Sequence, residues 1–133
     1  MNILIVGSSS GLGKEIFEQN IKIGNQIYAI SKYSNNSTYE NHLNSAAAIV
    51  KTDLININTQ KDINLLLDKI PKIDQIYFAI GGGFGKRDTL PSFEDIFLVY
   101  KINVFVISSM IKYLKENEKI NKNSKIFIIS SVA

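Results

Sequence analysis

The stretch Gly7–Glu15, GSSSGLGKE, carries the strongest chemical signal in the sequence. It lies between an apolar run, Ile3–Val6, and a segment with helical spacing. Glycines at such a junction let the backbone approach a ligand closely, and a helix N-terminus offers unpaired N–H groups and a partial positive charge to phosphate oxygens. Two phosphate chemistries compete. A triphosphate loop needs Gly, four residues, then Gly-Lys-Ser/Thr. Gly13-Lys14 is in place, but Ser8 stands where the first glycine belongs and Glu15 where the magnesium-binding hydroxyl belongs. The spacing Gly-x-x-x-Gly-x-Gly at Gly7, Gly11 and Gly13 suits a dinucleotide pyrophosphate better, although a plain tight turn shows the same glycines.

Composition narrows the field. The absence of cysteine excludes disulfides and thiolate sites, and the single histidine, His42, lies in a polar stretch, so no metal site is expected. Fifteen basic residues against twelve acidic ones give a formal charge of +3, and the lysines are scattered. That is a solvated surface rather than a nucleic-acid patch. No apolar run reaches the ~18 residues of a membrane span. The start lacks a basic region and a cleavage site. A cytoplasmic protein with no membrane or nucleic-acid partner is expected.

The elements that must position the loop can be read from periodicity. Short apolar runs at Ile3–Val6, Gln26–Ile30, Ala46–Val50, Gln75–Ile80 and Lys125–Ile129 read as strands. Helical spacing covers Lys14–Ile23, ended by Gly24-Asn25, and Asn58–Ile70, stopped by Pro71. A long helix runs from a Ser92 N-cap to about Asn117, with apolar residues on all sides around Asn103 that predict burial. Ser34–Ser45 and the glycine-rich Gly81–Pro91 read as loops. Strands alternating with helices predict an α/β fold with a parallel sheet and helices on both faces.

Four signals in chain order, VGSSSGLG, TDL after the third strand, the Asn of KINVFV and the terminal IFIISSVA, resemble the N-terminal half of a short-chain dehydrogenase/reductase. Val6 takes the place of the family's threonine. The resemblance implies a Rossmann-like, doubly wound parallel sheet of about five strands in the order 3-2-1-4-5. Residues 1–133 then form one NAD(P)-binding domain, C-terminally incomplete relative to the family. It also implies that Gly7, Ser9, Ser10, Gly11, Leu12 and Gly13 line the cofactor's diphosphate and adenosine ribose, and that Asp53 and Leu54 meet the adenine. The family's Asn-Asn-Ala-Gly reads here Phe78-Ala79-Ile80-Gly81, which leaves Ala79 and Gly81 as largely backbone contacts and puts the bracing of the central sheet in doubt.

At the end of the second strand no acid follows, while Ser31 offers a hydrogen bond and Lys32 a positive charge. That suits a 2′-phosphate, so NADP is preferred to NAD. By resemblance Ser131 holds the substrate oxygen and Asn103 braces a catalytic lysine. The implied activity is hydride transfer between the nicotinamide and a small carbonyl or alcohol substrate. Its acid–base pair, Tyr-x-x-x-Lys, has no counterpart after Ser131, and Tyr28 with Lys32 matches only formally, inside a strand. The sequence is therefore expected to be a fragment, inactive alone; the alternative is a non-catalytic dinucleotide-binding relative or sensor. The long helix near residues 93–117 is expected to pack against its twin in a homo-oligomer.

Overall fold

The apolar run at the start of the chain is β1 (Asn2–Val6), and its Ile3, Leu4, Ile5 and Val6 are fully shielded from solvent. Successive side chains of a strand point to opposite faces, so a strand apolar at every position needs cover on both. In the computed structural model, which describes residues 1–9, 11–32, 46, 48–81 and 91–129, it has that cover. Ile3 and Ile5 pack with Phe17 of α1 (Gly11–Ile23). Leu4 and Val6 pack on the other face with Ile63 and Leu67 of α2 (Gln60–Leu67) and with Val106, Met110 and Leu114 of α3 (Phe93–Glu116).

β1 pairs in parallel with β2 (Gln26–Ser31) on one side and β4 (Gln75–Phe78) on the other. β3 (Ala48–Lys51) extends the sheet beyond β2, and β5 (Lys125–Ile128) extends it beyond β4. The resulting order, β3-β2-β1-β4-β5, is the one the resemblance implies. At the β5 edge Ile126, Phe127 and Ile128 stay 38%, 40% and 55% exposed, and Phe127 stacks on Tyr77 with ring centroids 4.6 Å apart.

Element ends follow local chemistry. α1 begins at Gly11, ahead of the expected Lys14, and stops at Gly24-Asn25, where Asn25 N–H donates to the Asn20 carbonyl at 3.1 Å. α2 is shorter than the Asn58–Ile70 stripe: Thr59 caps its start and it ends at Leu67, while Leu54–Asn56 forms a separate tight turn before it. Thr59 Oγ1 accepts from the Asp62 N–H at 3.2 Å while the Asp62 carboxylate accepts from the Thr59 N–H at 3.1 Å, a reciprocal capping box. At the other end Lys119 Nζ donates to the Leu67 and Asp68 carbonyls at 2.9 and 2.7 Å. The polar loop at Ser34–Ser45, His42 included, and most of the glycine-rich Gly81–Pro91 lie outside the described residues.

α3 departs from expectation twice. It starts at the Ser92 cap, whose hydroxyl accepts from the Asp95 N–H at 3.1 Å, but a π turn, Lys101–Phe105, widens its middle. It is also not buried on all sides: Phe93, Phe97, Tyr100 and Phe105 are 77%, 52%, 55% and 47% exposed. Although no uninterrupted apolar run reaches ~18 residues, this 24-residue helix is long and apolar enough to cross a membrane by length and mean hydropathy, a test that the core helix of a soluble protein also passes. Its inward side nonetheless packs on the sheet through Ile102, Val106, Ile107, Met110 and Leu114.

Thr59→Ala removes half of the capping box and is expected to lower the unfolding free energy by about 1 kcal/mol, read by urea denaturation. The Asp62 carboxyl is held below its ordinary range, first by the Asn58 N–H and then by the Thr59 hydroxyl. A carboxyl lowered in the folded state stabilises fully above the ordinary value of about 3.9, and that stabilisation fades as pH falls through the lowered value. Asp62→Asn should therefore flatten the acid limb of the stability–pH curve.

Candidate functional site

The strands β1 to β4 bring their C-terminal ends to one rim of the sheet, where a cleft of about 270 Å³ opens. β1 leads to β2 on one side, and β4 lies on the other, so the strand order reverses here; open α/β sheets bind ligands at such a point. Gly7 ends β1 with φ +91° and donates its N–H to the Ile30 carbonyl at 2.8 Å. A Cβ on Gly7 would stand 2.6 Å from the Ala79 carbonyl oxygen, so both the turn and the contact require glycine. Gly13, one turn into α1, is tighter still: a Cβ there would lie 1.9 Å from the Gly7 carbonyl oxygen. Helix and strand meet backbone to backbone.

On the facing wall, Ser31 is buried and its carbonyl accepts from the Thr52 N–H at 2.8 Å. Lys32 Nζ lies 3.4 Å from Asp53 Oδ2. The sequence places no acid on the end of β2, yet the neighbouring strand end supplies one. The charge of Lys32 is thus already partly balanced. Asp53 Oδ1 accepts from the Ile55 N–H at 3.1 Å, which fixes the turn that puts Leu54 into the floor of the cleft.

The end of β4 answers the doubt raised by the missing asparagines. Phe78 occupies the core, fully buried. The sheet is tied there by backbone pairs: Ala79 N–H to the Val6 carbonyl at 2.8 Å and Ile129 N–H to the Phe78 carbonyl at 3.0 Å. Gly81, at φ +135°, faces Asn103, whose Oδ1 would be 2.3 Å from a Cβ at that position. Asn103 Nδ2 donates to the Val99 carbonyl at 2.8 Å, a turn back in α3.

Of the residues singled out from the sequence, Gly7, Ser9, Ser31, Lys32, Asp53, Leu54, Ala79 and Gly81 line the cleft. Gly11 and Leu12 are exposed at the start of α1, Gly13 is buried behind the loop, and Asn103 stands behind Gly81. Ser10 and Ser131 lie outside the described residues. Five lining residues were missed: Ile30, Thr52, Ile55, Ile80 and Ile102. Three of these, Ile30, Thr52 and Ile80, sit at or just past strand ends, which a parallel sheet sends to a common rim; that rule could have found them. Chemically, the start of α1 and the glycine turn can hold an anion, Leu54 and Ile55 can cover a flat ring, and Asp53 and Lys32 offer an acceptor and a donor.

Sheet order, switch-point cleft and glycine turn define a Rossmann-like α/β fold. No family model matches the chain. It is 27% identical over 132 residues to the probable short-chain type dehydrogenase/reductase VdlC of Helicobacter pylori, covering 98% of this chain and 48% of that protein. A carbonyl reductase structure from Pseudomonas aeruginosa matches with a TM-score of 0.79 at 20% identity, covering 98% of this chain and 61% of that one. The structure of BdcA in complex with NADPH matches at 0.78 and 20%, covering 98% and 52%. The resemblance to the short-chain dehydrogenase/reductase family thus extends along 98% of the chain, which spans about half the length of the curated relative it matches.

Gly13→Ala is expected to cost about 3 kcal/mol, the upper end of overpacking, because the nearest atom is backbone. Gly11→Ala, with φ +53° but nothing within 4 Å of its Cβ, should cost only about 1 kcal/mol. Denaturant unfolding of the two variants measures the contrast.

Proposed function

We propose that these residues form the cofactor-binding part of an NAD(P)-dependent oxidoreductase of the short-chain dehydrogenase/reductase type, acting on a small carbonyl or alcohol substrate. The observation that carries this reading is the glycine-lined cleft over the strand-order reversal, where Gly7 stands so close to Ala79, and Gly81 to Asn103, that neither position has room for a Cβ. In this reading the Gly7–Gly13 turn and the start of α1 hold the diphosphate, Ser9 and Ser10 the ribose side, and Leu54 and Ile55 the adenine ring, with Asp53 as its hydrogen-bond acceptor. Ala79 and Gly81 present backbone toward the nicotinamide end. The bound cofactor supplies the hydride chemistry, and the chain binds, orients and shields it. Ser131 holds the substrate oxygen and Asn103 braces the reacting end. The acid–base tyrosine and lysine belong, in this reading, to the part of the relatives' length that the chain does not span.

The exposed aromatic side of α3 supports self-association in a homo-oligomer, and the protein is read as cytoplasmic. NADP is preferred to NAD. Ser31 and Lys32 favour a 2′-phosphate, and BdcA, a structural match, was solved with NADPH. The Lys32–Asp53 pair tempers the preference, since the phosphate must compete with a carboxylate 3.4 Å from the ammonium.

Fluorescence titration of the protein at its natural length with NADPH and NADH tests the reading. Binding of neither would sink it. Lys32→Ala should lower NADPH affinity about tenfold relative to NADH, the scale of one lost charge-assisted contact. An unchanged ratio would remove the preference for NADP. Ser131→Ala should abolish most carbonyl-dependent oxidation of NADPH while leaving NADPH affinity within about twofold, because the role assigned to it concerns the substrate oxygen and the transition state.

A further inference from the structure

Among the described residues, Lys101 is the only charged side chain in the buried interior, 9% exposed. It lies on the inward side of α3, at the start of the π turn. Taking an ammonium out of water is expensive unless acceptors replace the solvent. Two uncharged acceptors do so here: the Ile55 carbonyl, and Asn58 Oδ1 at 2.7 Å. Both belong to the segment that follows β3, and Asn58 Nδ2 in turn donates to the Asn56 carbonyl at 3.1 Å. Lys101 therefore clasps this turn from beneath.

The turn it clasps forms one wall of the cleft. Ile55 lines the cleft, and while its carbonyl accepts from Lys101, its N–H donates to Asp53 Oδ1 at 3.1 Å. The other oxygen of Asp53 faces Lys32 Nζ at 3.4 Å. A continuous polar path thus runs from the interior of α3, through the backbone of the one residue Ile55, to the charged pair at the rim. A methionine would fill the volume of Lys101 without the desolvation penalty. What only the ammonium adds is the pair of hydrogen bonds to the turn.

The geometry points to Lys101 as a positioning residue for the adenosine end of the cleft, setting where Asp53, Leu54 and Ile55 stand. The role rests on the dinucleotide reading above. It is distinct from the glycine turn, which Lys101 does not touch, and that separation makes it testable.

In the protein at its natural length, Lys101→Met is titrated calorimetrically with adenosine 5′-monophosphate and, separately, with inorganic pyrophosphate, and its thermal midpoint is recorded. Affinity for the monophosphate should fall about tenfold, the scale of a hydrogen bond to a charged group, with pyrophosphate affinity unchanged. Equal losses for both probes, as a general loosening would give, or no loss for either, overturn the role. Asn58→Ala, at an exposed position, is the second variant and decides the matter if Lys101→Met does not fold. It should weaken the monophosphate about threefold, since one of the two clasping bonds remains. Unchanged affinity in that variant overturns the role. If the unaltered protein binds neither adenosine monophosphate nor dinucleotide, the cofactor reading falls and the positioning role falls with it. If the unaltered protein binds and Lys101→Met binds equally well, only the positioning role falls.

Discussion

The close approach of Gly13 to the Gly7 carbonyl governs how α1 lies on the sheet. With no room for even a methyl group, the helix axis is set by backbone against backbone rather than by side chains that could repack. Phe17, one turn further, then drops into the pocket between Ile3, Ile5, Ile27 and Ala29. The start of the helix is left at the rim where the strand ends converge. Core packing and the anion-binding geometry of the rim thus share one origin, and neither can be adjusted without the other.

The two faces of the sheet are covered unequally. One carries α2 and α3 and holds most of the buried apolar side chains; among the described residues the other carries α1 alone. The thin cover shows at β5, where Phe127 leans on Tyr77 instead of under a helix. Tight backbone packing along β1 and loose packing at the β5 edge make the described sheet firmest in the middle.

Much of the fold was legible because its signals are local. A strand apolar at every position needs two covered faces, and β1 has them; glycines at a strand–helix junction mark a close approach, and Gly7 and Gly13 make it. What the sequence concealed arises from meetings across crossovers. The pairing of Lys32 with Asp53 depends on β2 and β3 ending side by side, and the lodging of Lys101 under Ile55 depends on how α3 crosses the sheet. Lysine ordinarily reads as surface, and although the apolar neighbours of Lys101 signal a buried helix, they do not say what would receive its ammonium. The π turn is equally silent, since its residues have ordinary helical preferences. The outward aromatics of α3 misled for the opposite reason: apolar character on every side signals burial, but a single chain offers cover for only one.

The first of the described strands is the most enclosed. β2, its partner on one side, follows by Ser31, but β4, its partner on the other, begins only at Gln75. As the chain leaves the ribosome, β1 can gather α1, β2 and β3 while its second edge still awaits a neighbour. Parallel pairing is slow because long loops must close first, and an open apolar edge is a template for the wrong strand. The central place of β1 therefore makes the interval between the emergence of Val6 and of Phe78 the period in which a nascent chain most needs protection, a vulnerability set by topology rather than by any one residue.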